Sequence, residues 1–239
     1  DQRPDGYTVI FAADTQTSAP FVMKTDFDLQ RDLTPIVKVA LSPFILVANP
    51  KVPANNGKEF VEYLKKNPKE FTWGVGGVGT PGHLALQKFD RFLGLNTEKV
   101  AYKGNGPAVT ALLSGEVSAM FASPASAQQY VASNQLKALA SLSSEPAGNL
   151  PTLASFGFPG FEASSWFGIW GPKGLSANMA NQIHALVVSA LQAPDVKSKL
   201  QAGGIIPLPS KSVQEFAEYV KSETETNRAL VKELNLEIN

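Results

Sequence analysis

Cysteine is absent from this 239-residue chain, which removes disulfides, thiol nucleophiles and cysteine-held metals and leaves the redox compartment open. Histidine is scarce: His83 and His184 are far apart and neither has a partner at metal-ligand spacing. An excess of either charge is also lacking. The 21 basic and 21 acidic side chains cancel and no basic block stands out, so the electrostatic footprint of a nucleic-acid or anionic-membrane binder is missing. No apolar run approaches the roughly 18 residues that cross a bilayer, so no membrane insertion is expected. Neither a G-x-S-x-G elbow, nor H-E-x-x-H, nor a P-loop lysine pattern occurs, which argues against the commonest catalytic constellations. The polar opening Asp1-Gln2-Arg3-Pro4-Asp5-Gly6 has no leader-like apolar core, the pattern of a mature exported chain or of a shortened one.

What remains is an ordinary globular composition arranged as short apolar runs that alternate with amphipathic segments, the α/β pattern. Strands are expected at Tyr7–Ala12, Phe44–Ala48, Phe71–Val75, Val100–Tyr102, Val117–Phe121, Leu136–Ser141 and Trp166–Trp170. Helices are expected after Asn56, with Glu59 in capping-box position, and over Gly82–Phe92, Pro107–Leu113 and Ala125–Ala132. Ser143–Gly160, rich in Pro, Gly and Ser, reads as a surface excursion. The end is helical: Ser176 caps one segment, a shorter helix runs from Pro194 to Gly203, and Ser212 with Glu215 opens the last. The middle could close its own sheet, whereas the two ends are each incomplete. An interrupted lobe of residues 1–41 and 168–239 and a continuous lobe of 42–167 are therefore expected, with a ligand cleft between them.

The segment from Phe71 to Leu84 runs from strand to helix through Gly74, Gly76, Gly77, Gly79 and Gly82. Glycines let a ligand approach the backbone closely, and the helix start beyond them presents unpaired N–H groups and a positive dipole end to an anion. Gly74, Gly76 and Gly79 satisfy G-x-G-x-x-G, but the next strand ends Tyr102-Lys103-Gly104 rather than on the acid a dinucleotide site needs. A tight turn with no ligand is the bland alternative. Anion capture fits best, with no cofactor. Tyr102–Pro107 and Phe121–Ser126 repeat the strand-to-helix arrangement, and such loops are where α/β folds bind ligands. Expected contacts to an anion are Gly77, Val78, Gly79, Thr80 and Gly82 in this loop, with Lys103, Gly104 and Ser123 in the two neighbouring ones. Asp14 and Thr15, at the end of the first strand, would face the cleft. His83 is either a general base or a hydrogen-bonded residue fixing the loop, while His184 and the three tryptophans read as structural.

Several phrases, in order, resemble the substrate-binding proteins of tripartite tricarboxylate transporters, the TctC or Bug group. They are Pro4-Asp5-Gly6-Tyr7-Thr8, Asp32-Leu33-Thr34-Pro35-Ile36, Gly79-Thr80-Pro81-Gly82-His83-Leu84, Tyr102-Lys103-Gly104, Leu113-Ser114-Gly115-Glu116-Val117, Leu150-Pro151-Thr152-Leu153, Ser165-Trp166-Phe167-Gly168 and Gly171-Pro172-Lys173-Gly174. The resemblance spans essentially the whole chain. It implies a two-lobed, type II periplasmic binding fold, a periplasmic location, a small carboxylate ligand gripped by backbone groups and waters, and delivery to membrane permease subunits. It implies a binding protein rather than an enzyme; a sensing module of the same fold is the alternative. Family members commonly begin with a further strand, glycine loop and long helix. About two strand–helix units, on the order of 60 residues, are thus expected to be missing before Pro4, with a sheet edge exposed. Val78 and Pro81 stand where the family often has Asn and Ser, and Ala122 where many members carry Asp. A plain or aromatic acid is therefore expected rather than an amino acid.

Overall fold

The computed structural model describes residues 3–144, 147 and 149–236. Asp1 and Gln2 of the polar opening, and Glu145, Pro146 and Gly148 of the expected surface excursion, lie outside the described residues. In chain order the elements are β1 (Ile10–Ala13), a 3-10 turn (Asp14–Thr17), α1 (Ala19–Val22), α2 (Leu29–Asp32), β2 (Leu33–Pro43), β3 (Ile45–Ala48), α3 (Gly57–Lys66), β4 (Thr72–Val75), α4 (Pro81–Leu93), β5 (Glu98–Ala101), α5 (Asn105–Ser114), β6 (Ala119–Ala122), α6 (Pro124–Ala132), β7 (Lys137–Ser141), β8 (Ser164–Pro172), α7 (Ala177–Gln192), α8 (Pro194–Ala202), β9 (Ile206–Pro207) and α9 (Val213–Glu233). The chain divides into two compact units, Asp1–Leu41 with Ser165–Asn239, and Ser42–Ser164.

The continuous unit is built on a five-stranded sheet of order β5-β4-β6-β3-β7. β4 runs parallel to β5 and β6, while β3 is antiparallel to β6 and β7. Its strands β3 and β6 are apolar at every position because both faces are covered. Leu46, Ala48, Ala119 and Phe121 point to one side, where Phe60, Val61 and Leu64 of α3 and Leu86 and Phe89 of α4 pack. Ile45, Val47, Met120 and Ala122 point to the other, under Ala108, Val109 and Leu112 of α5 and Ala127 of α6. Trp73 is fully buried among Phe60, Phe71, Phe89 and Phe121, with ring centroids 5.2–6.0 Å away. The Asn56 side chain accepts the Glu59 N–H at 3.0 Å, and Glu59 reaches back to the Asn55 N–H at 2.8 Å, so α3 starts where the sequence placed its cap. At the far end of α4, the buried carboxylate of Asp90 accepts from Thr97 and pairs with the buried Lys99 ammonium, tying the helix to β5.

The interrupted unit has a four-stranded sheet of order β1-β8-β2-β9. One cluster joins Ile36, Val37 and Val39 of β2 to Ala180 and Leu191 of α7. Another joins Trp166 and Trp170 of β8 to Phe216 and Val220 of α9. The tryptophans are therefore core residues. β1 lies at the sheet edge and is open to solvent: Phe11 is 61% exposed and stacks on Phe167 of its neighbour at 5.6 Å. Gly168 sits beneath the aromatic cluster, where an added Cβ would run into the Phe216 ring and lie 2.9 Å from Trp170. Gly168→Ala is therefore expected to cost about 1–3 kcal/mol of stability through overpacking. Urea unfolding reads this directly, and an unchanged midpoint would contradict the packing described.

Candidate functional site

β5, β4 and β6 are neighbours and parallel, so their carboxyl ends share one edge of the sheet. Each runs through a short loop into a helix: β4 into α4, β5 into α5 and β6 into α6. The loops of β4 and β5 are sewn together, since Tyr102 N–H donates to Val75 O and Gly104 N–H to Gly76 O, both at 2.9 Å. The expected residues Gly77, Val78, Gly79, Thr80, Gly82, Lys103, Gly104 and Ser123 thus all lie along this edge. None of the three helices has an acidic residue in its first turn, whereas α3 and α9 carry Glu59 and Glu215 there. Helix starts concentrate partial positive charge, and acidic side chains normally compensate it. Here three starts on one edge are left uncompensated.

The glycine loop is shaped by its own hydrogen bonds. Gly79 takes φ +71°, a left-handed conformation that suits glycine. Thr80 caps α4: its hydroxyl accepts the His83 N–H at 3.4 Å and donates to Gly77 O at 2.8 Å. His83 is buried, and its Nδ1 accepts the Gly79 N–H at 3.0 Å. The ring proton then sits on Nε2, 3.2 Å from the Gln87 side-chain amide, which can accept it only through its oxygen, the amide group being turned over. Burial, and secondarily the Lys99 ammonium, lowers the His83 pKa to about 4, so the imidazole is neutral near pH 7. Two donors expected to meet the ligand are thereby engaged within the protein: the Gly79 N–H by His83, and the Thr80 N–H by Gly77 O at 3.4 Å. Gly82, half-buried in the first turn after Pro81, has an N–H too close to the helix start for an intrahelical partner. Val78 and Lys103 are exposed, and the Ser123 hydroxyl donates to Ser126 Oγ at 3.1 Å.

In the interrupted unit, Asp14 is buried and both its oxygens are occupied. One accepts the Ser165 hydroxyl at 2.7 Å and the other the Trp166 N–H at 3.3 Å, extending the β1–β8 ladder by a side chain. Burial chiefly pushes its pKa up to about 7, with Glu223 adding to the rise and the two hydrogen bonds opposing it. Asp14 thus anchors its own segment, and half-buried Thr15 follows it in the 3-10 turn. The buried hydroxyl of Thr17 in that turn is held by Asn227 of α9 at 2.8 Å. His184 faces Ser210 O at 2.9 Å, the structural role read from the sequence.

Sequence reasoning left two partners unnamed. The Thr80-x-x-His83 spacing is that of a capping box, which would have disclosed the His83 contact had histidine been considered as the acceptor. Ser165 gave no such signal, because it meets Asp14 across 151 positions. Among the described residues no group of three His, Asp or Glu side chains could hold a metal, and no helix is long and apolar enough to cross a membrane.

Strand-to-helix loops gathered on one sheet edge, in a chain of two α/β units, are the architecture of a solute-binding protein, and the solved structures it matches are of that class. They include R. palustris Rpa4515 with adipate (25% identity, 97% of this chain and 79% of that one, TM-score 0.85). The periplasmic binding protein BugD is similar over 99% of this chain and 81% of its own (27% identity, TM-score 0.80). The sequence profile of the tripartite tricarboxylate transporter family receptors, TctC, matches residues 1–236, and the chain belongs to that family. It is a family of receptors, not enzymes. BugT of Bordetella pertussis is 30% identical over 213 residues, covering 85% of this chain and 64% of its own length. The chain thus spans a little under two thirds of that relative.

Proposed function

We propose that this protein is a periplasmic receptor that captures a small carboxylate for a tripartite tricarboxylate-type permease. The observation that carries this reading is the set of three acid-free helix starts on one edge of the continuous sheet. Uncompensated N–H groups and dipole ends are a ready anion site. The Gly82 N–H, with the backbone of Gly77 and Val78, would hold the carboxylate head, and Thr80 and Gly79 would shape the loop around it. Lys103, Gly104 and Ser123 would meet the far end, and Lys103 suits a second carboxylate such as that of the adipate seen with Rpa4515.

A thermal-shift panel of mono-, di- and tricarboxylates, matched amines and neutral amides tests this. At least one carboxylate is expected to raise Tm in proportion to the logarithm of its concentration, as ligand linkage requires, with amines and amides silent. Stabilisation by none of the acids would overturn the proposal.

A further inference from the structure

Capping boxes normally close with Glu or Gln at the third helical position, reaching back to an N–H ahead of the helix. In α4 that position is His83, and its Nδ1 makes the backward contact to the Gly79 N–H at 3.0 Å. A carboxylate there would satisfy the same donor but put a negative charge at the helix start, where an anionic ligand would bind. Imidazole supplies the acceptor without the charge. We infer that His83 is a positioning residue that latches the glycine loop with a neutral acceptor, leaving the start of α4 positive for the ligand. The inference rests on the carboxylate-binding reading above and adds to it the reason for this residue type.

Three features support it. The ring is buried, so water has little access to compete for Nδ1. Gln87, one turn along the same helix, lies 3.2 Å from Nε2; with its amide turned to present the oxygen, it accepts the Nε2 proton and leaves Nδ1 as the acceptor. The charged groups nearby are Lys99 of β5, whose ammonium disfavours a second positive charge, and its partner Asp90 on α4 itself. The latch therefore stays neutral across ordinary pH.

Three variants of the protein separate the parts of the claim: His83→Asn keeps a neutral acceptor at the Nδ1 position, His83→Glu keeps a charged one, and His83→Ala keeps none. Calorimetric titration with the best acid of the carboxylate panel is read beside hydrogen exchange of the Gly79 amide in the unliganded protein. His83→Asn is expected to bind within about threefold of the original protein, while His83→Glu and His83→Ala each lose about tenfold or more. Gly79 should stay protected in the Asn and Glu variants and exchange freely in the Ala variant. Affinity unchanged in the Glu or Ala variant, or lost as fully in the Asn variant as in the Ala variant, would overturn the inference. An original protein that binds no carboxylate would instead sink the functional reading, and Gly79 exchange alone would then decide the latch.

Discussion

Asp14→Asn is expected to stabilise the protein at about pH 8 and to leave its stability nearly unchanged at about pH 4. Burial raises this carboxyl from its ordinary 3.8 to about 7, so the folded protein retains a proton that the unfolded chain has already lost. Stability is fully present below the unfolded value and declines as pH climbs from about 4 to about 7, by on the order of 4 kcal/mol at 1.36 kcal/mol per unit. Asparagine carries no such charge. Its amide oxygen can accept from Trp166 N–H while its NH2 donates to the Ser165 hydroxyl, so the ladder extension survives. Neighbouring Glu223 enlarges the effect, since it disfavours a second negative charge. Unfolding curves at three pH values measure it. An asparagine variant that is less stable at high pH would mean that the Asp14 charge is stabilised there rather than opposed.

The second large effect concerns binding. Gly82→Asp is expected to abolish carboxylate capture, by about 100-fold or more, because like charges brought together cost several kcal/mol. It should not weaken the fold: a Cβ at Gly82 lies 3.7 Å from Phe121 O, an ordinary contact, and an acid in the first turn of a helix is favourable by about 0.3–1 kcal/mol. Gly82→Ala, which keeps the N–H and adds no charge, is the control and should bind within a few-fold of the original. Titration calorimetry with parallel melting curves separates a lost site from a lost fold. Equal affinity in the aspartate variant would remove the start of α4 from the site.

Local chemistry made much of this structure legible in advance. Asn56 with Glu59 and Ser212 with Glu215 marked their helices because caps act within four residues, and both sets of hydrogen bonds are present. The central strands β3 and β6 were readable because burial on both faces leaves them apolar throughout, whereas the edge strand β5 carries Glu98 and Lys99 and was expected only from Val100. β2 escaped: Pro35 and Pro43 break its text, and its partners β8 and β9 come more than a hundred residues later. The glycine loop could be read as a place for an anion, but not which of its N–H groups are already spent. That depends on where the His83 ring turns, which spacing alone leaves open.

The start of α4 is the point on which the functional account turns. An NMR titration of glycine-labelled protein with the best-binding carboxylate follows it at the atoms concerned. Gly82 and Gly77 amide signals are expected to move in step with occupancy, while Gly168 and Gly171 of β8 stay in place. A saturating acid that leaves Gly77 and Gly82 unmoved, with every shift elsewhere, would contradict the assignment of the site.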